Sequence, residues 1–137
     1  MGDLILDAWA VMVWLKGQQP GADRMRRLLE IADRGECRLS MSVVNLGEVF
    51  HLCVKARNME YGRRVLETLH PRVMTISAHD ELVMLAATLK ARHAISYADG
   101  FAAATAMLQD APLVTGDPEI RAMAAAENAL QLEWIGR

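Results

Sequence analysis

The chain has 137 residues and a formal net charge of −2, and 53% of its residues are hydrophobic. This composition excludes a disordered chain, and the charge argues against a protein that coats DNA through bulk positive charge. The length predicts a single domain over residues 1–137. Two cysteines are too few for a disulfide framework, and no apolar segment is long enough to span a membrane. We therefore expect a cytoplasmic protein without membrane contacts.

Short apolar runs alternate with longer amphipathic segments along the chain. In chain order we predict strand 4–6, helix 8–16, helix 22–34, strand 38–41, helix 43–57, helix 59–69, strand 73–76, helix 79–92, helix 98–108, strand 112–115, helix 118–127 and strand 130–135. This alternation predicts an α/β fold, a three-layer α/β/α sandwich around a central, mostly parallel sheet of about five short strands.

Four acidic residues are notable for their positions. Asp7 ends the first strand and Asp117 follows the fourth, and open α/β sheets bind ligands at the carboxyl ends of their strands. Glu48 lies among apolar residues, on a helix that we expect to be buried on most sides. Asp99 opens a helix of small residues. Structural roles are also open: the three aspartates can cap helices, and Glu48 can pair with a buried arginine.

The four acids point to a metal site when they are considered together. Carboxylates at one rim of a sheet repel one another unless a cation lies among them. Ligand sets made only of carboxylate oxygens suit Mg²⁺ or Mn²⁺, and such an ion can activate a water for attack on a phosphodiester. We therefore predict a hard divalent ion held by Asp7, Glu48, Asp99 and Asp117.

At these residues the chain resembles the PIN-domain ribonucleases, and most closely the VapC-type toxins of bacterial toxin–antitoxin pairs. The resemblance covers essentially the whole chain. The matching segments are Leu4-Ile5-Leu6-Asp7, Ser42 with Glu48, Asp99 before Gly100, and Thr115-Gly116-Asp117. One departure is Ala8, because the family often has a serine or threonine directly after the first aspartate.

The resemblance implies a Mg²⁺- or Mn²⁺-dependent endoribonuclease that hydrolyses phosphodiester bonds in RNA through a metal-activated water. It implies that Asp7, Glu48, Asp99 and Asp117 are both the metal ligands and the catalytic residues, with Thr115 as a supporting ligand. It also implies a cognate antitoxin that blocks the pocket, and a toxin homodimer.

Other positively charged and aromatic side chains have open roles. Outlying arginines are candidates for anchoring the RNA backbone: Arg24, Arg26, Arg27, Arg63, Arg64 and Arg92. Trp9 and Trp14, on the apolar first helix, are either core residues or part of a partner-facing surface.

Three other functions are alternatives to a ribonuclease, and each needs its own sequence features. A receiver-type signalling module needs a lysine after a late strand, and the chain has none there. A phosphatase with an aspartate nucleophile needs Asp-x-Asp after the first strand, where this chain has Asp7-Ala8-Trp9. The main alternative is a non-catalytic PIN-like module that binds proteins, which loss of activity through Ala8 would favour.

Overall fold

The computed structural model describes residues 2–137 and consists of strands alternating with helices. The strands are β1 (Asp3–Leu6), β2 (Arg38–Ser42), β3 (Val73–Ile76), β4 (Leu113–Thr115) and β5 (Leu132–Trp134). The helices are α1 (Ala8–Lys16), α2 (Gly21–Asp33), α3 (Val43–Ala56), α4 (Met59–Leu69), α5 (Asp80–Arg92), α6 (Tyr97–Gln109) and α7 (Pro118–Ala126).

The strands form one sheet in the order β3-β2-β1-β4-β5, and every neighbouring pair is parallel. The chain first adds strands on one side of β1 and then crosses to the other side, so the strand order reverses between β1 and β4. In sheets of this kind, the crevice outside the carboxyl ends of the two strands at the reversal is the usual ligand site. Asp7 directly follows β1, and Asp117 follows β4 after one intervening residue, Gly116.

Each face of the sheet has its own apolar core, because successive side chains of a strand point to opposite faces. Leu4 and Leu6 of β1 pack into the core under α1–α4, whereas Ile5 packs into the core under α5–α7. In β4, Val114 packs into the core under α1–α4 and Leu113 into the core under α5–α7. The predicted three-layer α/β/α sandwich is thereby confirmed, and its sheet is parallel throughout.

Side-chain caps explain why several helices begin where they do. Asp7, Ser42 and Asn58 each accept a hydrogen bond from a backbone N–H in the first turn of the following helix. Ser96 does the same for α6, and Asp117 for α7. Predicted and observed boundaries differ by a residue or two at several ends, where pairing and capping rather than hydrophobicity decide the limit.

Helix α3 differs from its prediction. Its apolar residues surround it on the helical wheel, which predicted burial on most sides. In the structure it buries one stripe, made of Asn45, Val49 and Cys53, and leaves Val43 and Leu52 exposed. Helix α3 contacts α4, α1, α6 and strands β2 and β3, and these neighbours still leave part of its apolar surface open to solvent. Within residues 2–137, no helix is long and apolar enough to cross a membrane.

Candidate metal centre

Asp7 is the innermost carboxylate of the candidate site, and only 2% of its surface is exposed. Its Oδ1 accepts a hydrogen bond from the backbone N–H of Ala10 at 2.8 Å, which caps α1. Its Oδ2 accepts a hydrogen bond from the hydroxyl of Thr115, across the β1–β4 crevice. Both oxygens of this buried group are therefore hydrogen-bonded, and the structural role proposed for Asp7 as a cap is real.

Burial dominates the ionisation of Asp7. Removal from water raises its pKa from 3.8 to about 7, because a low-dielectric environment disfavours the charged form. The hydrogen bonds from Thr115 and Ala10 act in the opposite direction, and the negative charges of Asp99 and Asp117 raise the pKa further. Without a bound cation, Asp7 therefore keeps its proton at a higher pH than an exposed aspartate does.

Thr115 connects the inner carboxylate to Asp117. Its hydroxyl donates to Asp7, and its Oγ1 accepts from the backbone N–H of Asp117 at 3.1 Å. Asp117 in turn caps α7 by accepting from the backbone N–H of Glu119 at 2.9 Å, with Pro118 at the first helical position. The segment 115–119 thus carries two acidic side chains, those of Asp117 and Glu119, to the crevice.

Asp99 reaches the crevice from the start of α6. It forms a capping box with Ser96: the Ser96 hydroxyl accepts from the Asp99 backbone N–H at 3.0 Å, and the Asp99 carboxylate accepts from the Ser96 backbone N–H. Partial burial raises the pKa of Asp99, and the charges of Asp117 and Glu119 raise it further. The capping role and the site position therefore coexist in one residue.

Glu48 lies on α3 and is half-buried. Burial raises its pKa, the charges of Asp99 and Asp117 add to this, and His51 partly offsets it. The alternative in which Glu48 pairs with a buried arginine is not what the structure has, since Glu48 forms no ion pair within residues 2–137.

Asn45, one turn before Glu48, fixes α3 against α6. It is 1% exposed, and its Nδ2 donates to the carbonyl oxygen of Ala98 at 2.9 Å, directly before Asp99. Its buried Oδ1 has no hydrogen-bond partner among the described residues. Asn45 therefore positions the two acid-bearing helix segments relative to each other.

The structure brings together a set of carboxylates that differs in part from the predicted set. Asp99, Asp117 and Glu119 each offer one oxygen, and these oxygens all lie within 4.8 Å of one another. Asp7 and Glu48 lie outside this group of ligand atoms but close enough for their pKa values to respond to it. Sequence reasoning missed Glu119, whose signal is its place two residues after Asp117 in the first turn of α7.

The donor chemistry of this centre fits a hard divalent cation. Oxygens are the ligands that Mg²⁺ and Mn²⁺ prefer, and none of the five acids is neutralised by an ion pair in the described part of the chain. A cation among them would offset the mutual repulsion that, after burial, adds to the raised pKa values of Asp7, Glu48 and Asp99.

The arginines proposed to anchor RNA have varied surroundings. Arg26 pairs with Glu30 on an exposed helix face, and Arg92 pairs with Glu127. Arg24 donates to the carbonyl oxygen of Gly136 at 2.8 Å. Of the two tryptophans of α1, Trp9 packs against Gly116, beside the candidate centre.

Comparisons with known structures agree with this architecture. A VapBC complex from Salmonella typhimurium, solved bound to DNA, superposes with a TM-score of 0.71 at 18% identity, over 97% of this chain and 98% of that one. VapBC2 from Rickettsia felis, solved with a promoter DNA fragment, gives 0.70 at 18% identity, over 96% and 97%. VapC20 from Mycobacterium tuberculosis, a toxin that cleaves the sarcin-ricin loop, gives 0.70 at 14% identity, over 90% and 95%.

Sequence comparison gives the family directly. No curated protein matches the chain significantly. The model of the PIN domain family matches residues 4–126, which is most of the chain and includes all five acids of the candidate centre. The chain belongs to the PIN domain family.

Proposed function

We propose that this protein is a Mg²⁺- or Mn²⁺-dependent endoribonuclease and the toxin of a toxin–antitoxin pair. The observation that carries the proposal is the convergence of uncompensated carboxylates at the crevice between β1 and β4. PIN-domain membership supports a nuclease, and the structural similarity to VapC toxins, one of which cleaves an RNA loop, supports RNA as the substrate.

In this proposal Asp99, Asp117 and Glu119 hold the ion, and Asp7 and Glu48 complete the acidic pocket. A bound divalent ion supplies the positive charge that attracts a phosphate oxygen and lowers the pKa of a coordinated water. Glu48 is the candidate general base, because it is half-buried, forms no ion pair among the described residues and lies outside the group of clustered carboxylate oxygens, which leaves its carboxylate free to accept a proton. Thr115 holds both Asp7 and the backbone of Asp117, and thus sets the distance between the inner and outer acids.

The hydroxyl of Thr115 argues against the alternative of a non-catalytic PIN-like module. That alternative rests on Ala8, which lacks the hydroxyl often found after the first aspartate in the family. Thr115 already donates a hydroxyl hydrogen bond to Asp7 from the neighbouring strand. We therefore favour the catalytic function over the binding module.

The proposal includes partners: an RNA substrate, a cognate antitoxin that blocks the pocket, and a second copy of the chain, all in the cytoplasm. The structural similarity to VapBC complexes supports the antitoxin as a partner. We expect light scattering of the purified protein to give twice the mass of one chain, and a monomer mass would refute the homodimer.

The test of the function is RNA cleavage by purified protein with Mg²⁺, Mn²⁺ or EDTA. We expect cleavage that requires the metal and that Asp99→Asn abolishes. Asp110→Asn is the matched control, because Asp110 has a left-handed backbone that asparagine tolerates, at the other end of α6. Cleavage by Asp99→Asn at the wild-type rate would remove Asp99 from the mechanism. Absence of both cleavage and metal binding would favour the binding module.

A further inference from the structure

A cleft lies directly beside the acidic centre and has no role in the function described so far. Its volume is about 650 Å³, within the usual range for small-ligand sites. Its walls come from α1, the loop before α2, the segment after β4, α7 and the C-terminal segment. The principal lining residues are Trp9, Pro20, Gly116, Arg121, Trp134 and Gly136.

The cleft and the acidic centre share one piece of backbone. Gly116 lines the cleft, while its neighbours Thr115 and Asp117 belong to the acidic centre. A Cβ on Gly116 would lie 2.1 Å from Cη2 of Trp9, so the indole packs against the bare backbone of this glycine. A group bound in the cleft would therefore lie next to whatever is bound at Asp117.

Arg121 forms a flat cationic surface on one wall of the cleft. Its guanidinium lies 4.1 Å from the centre of the Trp134 ring, and its backbone N–H donates to the carbonyl oxygen of Asp117 at 3.1 Å. The Trp134 indole is itself held by a hydrogen bond from Nε1 to the carbonyl oxygen of Arg137 at 3.0 Å. The hydrogen bond from Nε1 therefore holds the indole in place, and the guanidinium lies over its ring.

The charge of Arg121 is available to a ligand. Several other exposed arginines pair with carboxylates, as Arg34 does with Glu36 and Arg38 with Asp3. Arg121 has no such pair within residues 2–137, although Asp117 and Glu119 lie in the preceding turn. The charged side chains that line the cleft, Arg121 and Arg137, are both cationic, which complements a phosphate group.

We propose that this cleft binds one nucleotide of the RNA next to the scissile phosphate, as a base-stacking subsite. Aromatic rings and arginine planes are the surfaces on which proteins stack single-stranded bases. The side-chain amides of Gln18 and Gln19 in the same cleft can hydrogen-bond base edges. The inference rests on the proposed function for its substrate and adds where a base adjacent to the cut is held.

Binding can be measured separately from cleavage. The probes are short, fluorescently labelled single-stranded oligoribonucleotides of A, C, G or U, titrated by anisotropy with Ca²⁺ in place of Mg²⁺. We expect Trp134→Leu to weaken binding by roughly 5- to 100-fold, the effect of losing one stacked base. Arg121→Gln weakens binding less and lowers the dependence of affinity on salt by about one phosphate contact.

Two matched controls lie outside the cleft. Trp14→Phe removes the other tryptophan of α1, and Arg57→Gln removes an arginine that also stacks on an aromatic ring, at 4.5 Å from the centre of Tyr61. We expect both to bind RNA like the wild type. Arg121 is exposed, so Arg121→Gln keeps the test valid if Trp134→Leu fails to fold.

The outcomes separate the subsite from the nuclease. Wild-type RNA affinity in both Trp134→Leu and Arg121→Gln would overturn the subsite, even if Asp99→Asn shows that the protein is a metal-dependent nuclease. RNA binding that requires Trp134, in a protein that neither cuts RNA nor binds metal, would support a base-stacking site in the cleft and refute the nuclease. If these variants keep RNA binding but lose a protein partner, the cleft is a protein-docking site and the proposal is wrong.

Discussion

The inner and outer carboxylates of the candidate centre have the same charge but opposite environments. Asp7 is almost fully buried, and both of its oxygens accept hydrogen bonds from the protein. Asp99 and Asp117 are partly exposed and Glu119 is exposed, and their oxygens lie within 4.8 Å of one another. In the proposed function this difference separates two roles: the outer acids would hold the ion, and the inner acid would adjust the charge beside it.

The largest effect should come from an outer acid whose charge is removed while its cap is kept. Asparagine caps helices as well as aspartate does, so Asp117→Asn should leave α7 intact. We expect the RNA cleavage rate to fall by more than about 100-fold, because a metal ligand is lost. Asn58→Asp, the reverse exchange at the cap of α4, is the control and should cleave normally. Full activity of Asp117→Asn would mean that Asp117 is only a cap.

The inner acid, Asp7, should affect how the stability of the fold depends on pH. Because the folded state raises the pKa of Asp7 from 3.8 to about 7, it holds the proton more tightly than the unfolded chain does. Stability from this group is therefore lost as the pH rises from about 4 to 7, by about 4 kcal/mol at most.

We accordingly expect Asp7→Asn to unfold at a higher temperature than the wild type at pH 8 in EDTA. The gap should shrink as the pH falls towards 4, where the wild-type carboxyl is neutral in both states. Thermal unfolding followed by circular dichroism across this pH range measures both effects. A gap that does not change with pH would show that burial does not control the charge of Asp7. Added Mn²⁺ should stabilise the wild type more than the variant, since the wild type has one more buried carboxylate whose charge the ion offsets.

Gly116 joins the inner and outer acids, and its substitution should disturb both. A methyl group there would collide with Trp9, so we expect Gly116→Ala to destabilise the fold by about 1–3 kcal/mol and to weaken Mn²⁺ binding through displacement of Asp117. The control is Gly47→Ala, at an exposed position of α3 where a Cβ meets nothing within 4 Å. That variant should gain up to about 1 kcal/mol from helix propensity. If Gly116→Ala has the same free energy of unfolding in denaturant as the wild type, Gly116 is not in tight contact with Trp9.

The sequence was sufficient for the elements whose signals are local. Asp7, Ser96 with Asp99, and Asp117 with Pro118 are capping patterns, and the caps place these acids at the ends where strands meet helices. The same patterns also supported a purely structural interpretation, and the tertiary structure shows that the capping residues Asp99 and Asp117 lie close together.

Features that depend on packing between distant segments escaped prediction. The stacked pair of Arg121 and Trp134 joins α7 to β5, and the pattern of hydrophobic residues in these two segments does not predict it. Helix α3 is apolar around its circumference, so its sequence does not tell which face the sheet covers. The contribution of Glu119 depends on how the first turn of α7 faces Asp99, which lies twenty residues earlier in the chain.

The smallest expected effect tests how far outward the metal centre extends. Glu119 is the most exposed of the clustered acids, so water screens its attraction for a cation, and we expect Glu119→Gln to lower Mn²⁺ affinity by roughly fivefold. Glu81→Gln is the matched control, because Glu81 is also an exposed acid in the first turn of a helix. Calorimetric titration of both variants gives the comparison. If Glu119→Gln binds Mn²⁺ like Glu81→Gln, the ion lies deeper, between Asp99, Asp117 and the inner carboxylate, and Asp7 must then lose its proton for the ion to bind.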